Sequence, residues 1–135
     1  MWYNKIMENI ISSIVSVTVT TFVWLIGGVD VAFLCLIVAI ALDYVSGIIK
    51  AFNTKTLSSS IGFRGILKKI GVLVLVMLSV VVDRITVNNG AIRTLVVYYF
   101  VANEGLSVLE NLAQAGIPVP KKLKEALKVI KKENK

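Results

Sequence analysis

The amino-acid sequence predicts an all-α integral membrane protein, a single domain over residues 1–135 with four transmembrane helices and a C-terminal basic amphipathic helix. Three observations lead to this prediction. Four apolar runs are each long enough to cross a bilayer. Charged residues make up only 17% of the chain, against about 25% in an average soluble domain. The basic residues also cluster in segments that four crossings would place on one side of the membrane.

The four apolar runs are separated by residues that favour turns. The predicted transmembrane helices are residues 10–26, 31–49, 66–82 and 92–112. At about 1.5 Å per residue the first run covers about 25 Å, which is enough to span with local thinning of the bilayer. Trp2 precedes this run and Trp24 closes it, as expected for aromatic side chains at the two interfaces. No small-residue cleavage site follows it, so we do not expect a removed signal peptide.

The distribution of lysine and arginine predicts that both termini lie in the cytoplasm. Thirteen of the fifteen basic residues fall at the N-terminus, between the second and third runs, or in the C-terminal tail. Arg84 and Arg93 are the other two. Four crossings place all thirteen on one side, as the positive-inside rule requires, whereas three crossings would put the charged loop and the charged tail on opposite sides.

Two carboxylates, Asp43 and Glu104, lie inside apolar runs, where a charge costs roughly 2.5–3.5 kcal/mol on insertion scales. The topology puts both toward the cytoplasmic side, at a depth similar to Lys68 and Lys69. We therefore expect Asp43 and Glu104 to pair with Lys68, Lys69 or Arg64, within or between subunits, and to act as assembly contacts. In the alternative, the lysines extend to the headgroups and the acids reach interfacial water.

Polar or small residues recur on single faces of the predicted helices. The fourth run has a stripe of five polar residues at helical spacing, Asn103, Ser107, Glu110, Asn111 and Gln114. Such a stripe is expected to face other helices or water and not lipid. On the second helix Gly47 shares a face with Asp43 and permits close helix approach. The weaker hydroxyl stripe of the first run is typical of ordinary helix packing.

The C-terminal tail, residues 119–131, predicts a basic amphipathic helix. Its apolar residues recur at helical spacing, at Leu123, Ala126, Leu127 and Ile130, and lysines occupy most other positions. We expect this helix to lie on the anionic inner leaflet, with contacts from Lys121, Lys122, Lys124 and Lys128. A solvated, partly frayed tail is the alternative. Nucleic-acid binding is not expected because no aromatic residues accompany the lysines.

The composition argues against an enzyme and against a cofactor. The chain has no histidine and one cysteine, which excludes a Cys/His metal site, a Ser-His-Asp triad and a disulfide framework. No P-loop, G-x-G-x-x-G or H-E-x-x-H motif is present. Cys35 lies within an apolar run and is interpreted as a small hydrophobic residue.

Five sequence blocks follow one another along the chain: DYVSGIIKA at 43–51, LSSS at 57–60, GILKK at 65–69, NEGLSVLEN at 103–111 and GIPVP at 116–120. Together they resemble a family of phage holins that includes the clostridial toxin-secretion and phage-lysis holins. The resemblance covers about residues 31–127. At residues 60–62 this sequence lacks a basic residue that the family pattern leads one to expect, and the first helix is less typical.

The resemblance implies a small phage or prophage protein of the bacterial cytoplasmic membrane that assembles into lesions, through which endolysin or a toxin passes. The expected partners are the lipid bilayer and further copies of the chain, with no stable complex with endolysin or toxin. The rival interpretation is a small ion or solute transporter or an accessory subunit. The sequence lacks the inverted repeat or midplane helix break typical of secondary transporters.

Overall fold

The computed structural model describes residues 1–133, and within them the chain forms five α-helices and no strands. The helices are α1 (Trp2–Leu25), α2 (Val31–Asn53), α3 (Ser59–Thr86), α4 (Ala91–Gln114) and α5 (Lys121–Glu133). The predicted all-helical fold is confirmed. Most helices extend beyond the predicted spans, and α1 and α3 begin eight and seven residues earlier, because backbone hydrogen bonding continues into the polar flanks of an apolar run.

The turn between α1 and α2 depends on two glycines in the left-handed region. Gly27 has φ 76° and Gly28 has φ 100°, and the Gly28 N–H donates to the Val23 carbonyl at 2.9 Å. This pattern closes the last turn of α1. A Cβ on Gly27 would come within 2.9 Å of the Arg93 side chain. Asp30 then caps α2, because its carboxylate accepts a 2.8 Å hydrogen bond from the Phe33 N–H.

The core lies where α2, α3 and α4 meet, and α4 also packs against α5. Its buried apolar side chains are Ile26, Phe33, Leu36, Val72, Val76 and Val97. No residue of α1 is buried, and α1 makes only a slight contact with α3. Since many apolar side chains of α1, α2 and α3 are exposed, their outward faces suit lipid better than water.

Within the part of the chain that the structure describes, three helices are long and apolar enough to cross a membrane: α1, α2 and α3. The fourth predicted crossing, α4, is not among them, so the count of four remains a prediction. Half of the buried residues of α4 are polar or charged, namely Arg93, Glu104 and Asn111. The lower hydropathy of α4 thus reflects polar partners on neighbouring helices.

Candidate functional site

One lysine joins the two carboxylates that lie inside apolar runs. Lys69 on α3 donates from Nζ to Asp43 on α2 and to Glu104 on α4. The three side chains are 18%, 12% and 6% exposed. We call Asp43, Lys69 and Glu104 the ionic triad. It links the three helices of the core through charge-assisted hydrogen bonds, which are about twice as strong as neutral ones.

The ionic triad carries two negative charges and one positive charge, so a second donor supports it. Asn111 on α4 donates from Nδ2 to Asp43 Oδ1 at 3.2 Å and to Ser46 Oγ at 3.1 Å. Ser46 in turn donates to the Asp43 carbonyl at 3.0 Å. Asn111 and Ser46 are both buried. The amide therefore holds Asp43 in place for Lys69, in a setting where an unpaired polar group is costly.

The other predicted assembly residues lie beside the ionic triad without joining it. Arg64 and Lys68 are exposed, and neither forms an ion pair with any residue in the described range 1–133. Gly47 lies against Asn111, where a Cβ would be 3.7 Å from Nδ2, an ordinary contact. The structure therefore brings Lys69, and not its neighbour, to the two acids, and the assembly role stays a prediction.

A second polar cluster, centred on Arg93, lies at the other end of the helices. Arg93 is 6% exposed. Its Nε donates to the Ile26 carbonyl at 2.6 Å, Nη1 to Asp30 Oδ2 at 2.7 Å, and Nη2 to the Gly28 carbonyl at 2.9 Å. We call Arg93 with Asp30 and Asp83 the arginine clasp. Its guanidinium pairs with the carbonyl of Ile26, the C-cap of α1, and with that of Gly28 in the following turn, and so fixes the α1–α2 turn to α4.

Two carboxylates complete the arginine clasp. Asp83 on α3 is buried and accepts from the backbone N–H groups of Ile92 at 3.0 Å and Arg93 at 2.7 Å. A negative charge at this end of α4 also complements the helix dipole. Asp30 lies in the turn between helices, and its hydrogen bond from Arg93 holds the pKa of this carboxyl below the ordinary value.

Sequence reasoning missed the arginine clasp. In the charge distribution Arg93 is one of two exceptions, and Asp83 falls in the segment between the third and fourth apolar runs. The signal available was an arginine near the start of an apolar run, which needs a partner at that depth. Asp30, placed immediately before the preceding run, was a candidate partner.

The polar stripe of α4 divides between two neighbours. Asn111 turns toward α2, whereas Asn103 accepts a 2.8 Å hydrogen bond from Lys131 of α5. Ser107 is half-buried, and Glu110 and Gln114 are exposed. Glu110 and Gln114 line a shallow surface groove together with Lys121 and Lys124 at the start of α5.

Helix α5 runs back along α4 in the opposite direction. A Cβ on Gly105 would lie 3.0 Å from Leu127 Cδ1, and Lys131 Nζ lies 5.7 Å from the centre of the Tyr99 ring. Leu123 and Leu127 of α5 border an apolar groove between α2 and α4, here called the α2–α4 groove. Its other walls include Cys35, Ala39, Leu42 and Val108. The predicted membrane-contacting lysines, Lys121, Lys122, Lys124 and Lys128, are all exposed. Their contact with a bilayer stays a prediction.

The chemistry available here is helix-to-helix recognition. No group of three or more acidic, cysteine or histidine residues within residues 1–133 is placed to hold a metal ion. Long apolar helices, buried ion pairs between them and polar networks at both ends define a helical membrane protein.

Comparison of the sequence with known proteins gives the family. The bacteriophage holin family profile matches residues 20–132, and this chain belongs to that family. A "probable holin" of Bacillus phage phi105 is 36% identical over 93 residues, 69% of each chain. An uncharacterised 14.9 kDa Clostridium perfringens protein from the nagH 3′ region is 47% identical over 128 residues, 90% of this chain and 96% of its own. The Bacillus subtilis protein YqxH is 37% identical over 111 residues, 82% of this chain and 79% of its own. No solved structure matches significantly.

Proposed function

We propose that this chain is a non-enzymatic holin that self-associates in the bacterial cytoplasmic membrane and permeabilises it, so that endolysin or a secreted toxin passes. The ionic triad is the observation that carries this proposal. Lys69 bridges two acids across three helices, and between helices in lipid such polar contacts take the place of the missing hydrophobic force. The same groups therefore select which helices associate.

Four crossings with both termini inside fit the packing. Helices α2 and α4 run in the same direction, since Arg93 near the start of α4 contacts Gly28 before α2 and Asn111 near the end of α4 contacts Ser46. This parallel arrangement needs α3 to cross between them. The arginine clasp then lies at the outer face, and thirteen basic residues lie at the cytoplasmic face.

The assembly step is an exchange of partners by the ionic triad. In a single chain Lys69 pairs with both acids, so the ionic triad carries a net charge of one negative unit. At high surface density, Lys69 of one copy pairs with Asp43 or Glu104 of another. The exchange keeps the number of ion pairs, so its cost is that of opening the contacts among α2, α3 and α4 that bury the triad. An acid left unpaired in the membrane would be expensive. A protein-sized passage needs many copies, because four helices enclose no such channel.

In the intact membrane, α5 lies on the inner leaflet with its lysines toward anionic headgroups. The alternative of placing the exposed Lys128 in the bilayer centre would cost roughly 2.5–3.5 kcal/mol on insertion scales. Anionic lipid is the partner that the exposed lysines of α5 fit best.

The test is induction of the gene in a bacterium with and without a co-expressed endolysin, while optical density and membrane potential are followed. We expect abrupt lysis only when the endolysin is present, together with collapse of the membrane potential in both cases. Lysis by the chain without endolysin, or a slow potential change that depends on an added solute, would contradict the proposal. The second outcome is the one that a small transporter predicts. Against a transporter, the residues of α2 and α4 form continuous helices with no midplane break.

A further inference from the structure

The position of α5 on α4 would be costly if lipid covered that side of the molecule. Lys131 contacts Asn103 and Tyr99, and Tyr99 lies about 12 Å along α4 from Ala91, at about 1.5 Å per residue. If α4 crosses a hydrocarbon core of about 30 Å, the end of α5 reaches toward its middle. The exposed side chains of Lys128 and Lys132 would then face acyl chains.

The apolar contacts of α5 do not offset such a burial of charge. Leu123 and Leu127 line the α2–α4 groove on the α5 side. Lipid tails would cover the same groove equally well, since helix association in lipid has no hydrophobic driving force. In water the balance reverses, because the lysines are solvated and burial of the apolar groove under α5 becomes favourable. The packing of α5 on α4 is therefore favoured when water, and not lipid, surrounds α5.

The polar residues of α4 on this side point to the same environment. Asn103 is paired with Lys131, and Glu110 and Gln114 are exposed beside Lys121. Helices α1 and α3 expose many apolar side chains, whereas α4 and α5 expose fewer, among them Tyr98, Leu123 and Val129. The molecule thus has one flank suited to water, formed by α4 and α5, which we call the α4–α5 flank.

We propose that the α4–α5 flank forms the cationic wall of the aqueous path, and that α5 enters the α2–α4 groove only after water has replaced lipid there. In the intact membrane α5 lies on the inner leaflet. When copies assemble and the path opens, α5 folds back along α4 into the position seen in the structure, and its lysines line the path. This inference rests on the proposed permeabilising function and adds the element that lines the opening and its preference for anions.

The test joins α5 to the groove through the native Cys35. A chain with Leu127→Cys is treated in whole cells with a short membrane-permeant bismaleimide, before and during permeabilisation, and the intramolecular link is measured in the monomer band by mass spectrometry. We expect the linked fraction to rise about tenfold or more as the membrane opens. Once water replaces lipid beside α4, packing of α5 there no longer places Lys128 and Lys132 against acyl chains. The Leu123→Cys variant retains the contact of Leu127 with Gly105, and its linked fraction should rise in the same way.

The matched control is Val129→Cys on the exposed face of α5, which should link poorly at both times. Equal linking of Leu127→Cys before and during permeabilisation would overturn the inference while leaving the holin proposal intact. A wild-type chain that never permeabilises the membrane would overturn both.

A second measurement tests the lining directly. The smallest conductance steps in planar bilayers should prefer anions, and the double change Lys128→Glu with Lys132→Glu should reverse that preference. Lys55→Glu makes the same kind of charge change in the exposed turn after α2 and should leave the anion preference in place. Unchanged selectivity in the double variant would overturn the assignment of α5 to the wall.

Discussion

Replacing Lys69 by methionine should destabilise the folded protein more than any neighbouring substitution. The change leaves Asp43 and Glu104, 12% and 6% exposed, without their shared cation. Removing one partner of a buried ion pair costs about 3–5 kcal/mol, a large part of the roughly 5–15 kcal/mol that stabilises a typical domain. The adjacent Lys68→Met is the matched control, because Lys68 is exposed, and its effect should stay within about 0.5 kcal/mol.

The charge-free triple variant, Lys69→Met with Asp43→Asn and Glu104→Gln, separates pairing from packing. Because no unpaired charge remains, it should recover most of the stability that Lys69→Met loses. The free energy of unfolding is measured by denaturant titration of the protein in detergent micelles. If Lys69→Met is as stable as the wild type, or if the triple variant is as unstable as Lys69→Met, the ionic triad does not hold the helices together. The same triple variant should also lose assembly, since no charge remains to exchange partners.

Three further predictions concern the arginine clasp. Gly27→Ala should lower stability by about 1–2 kcal/mol from backbone strain alone, and by more because its Cβ meets Arg93 at 2.9 Å. Gly28→Ala is the control in the same denaturant titration, because a Cβ there has no neighbour within 4 Å. Arg93 lowers the folded-state pKa of Asp30. The stability from this pair is therefore present above the unfolded-state pKa near 3.8 and is lost as pH falls through the lower folded-state value. Asp30→Asn should reduce the dependence of the unfolding free energy on pH in this acid range. Asp83→Asn should cost about 1–2 kcal/mol by weakening the charged cap of α4, and equal thermal stability of the two proteins would contradict the cap.

The sequence predicted the helices because the apolar runs are long and the turns between them contain Gly, Asn or Asp. It also selected Asp43 and Glu104, since charges in such runs are rare. It did not separate Lys68 from Lys69, because adjacent residues lie about 100° apart on a helix and the choice depends on which face of α3 is buried. The spacing of Lys69, Val72 and Val76 puts them on one face of α3, and the two valines indicate that this face is the buried one.

Two features depend on tertiary contacts that no local pattern encodes. The arginine clasp joins the turn before α2 to α3 and α4. Arg93 and Asp30, which pair in it, are 63 residues apart in the chain. The amphipathic pattern of α5 fits a membrane surface and the α2–α4 groove equally well. Only the surrounding solvent distinguishes the two positions.

Chemical crosslinking of membranes during lysis is a direct test of self-association. Samples are taken through the lysis time course, crosslinked with a lysine-reactive reagent, and resolved by size in denaturing gels. We expect a ladder of crosslinked species that extends well above a tetramer and appears as the membrane potential collapses. A chain that remains monomeric or dimeric through complete lysis would contradict this expectation.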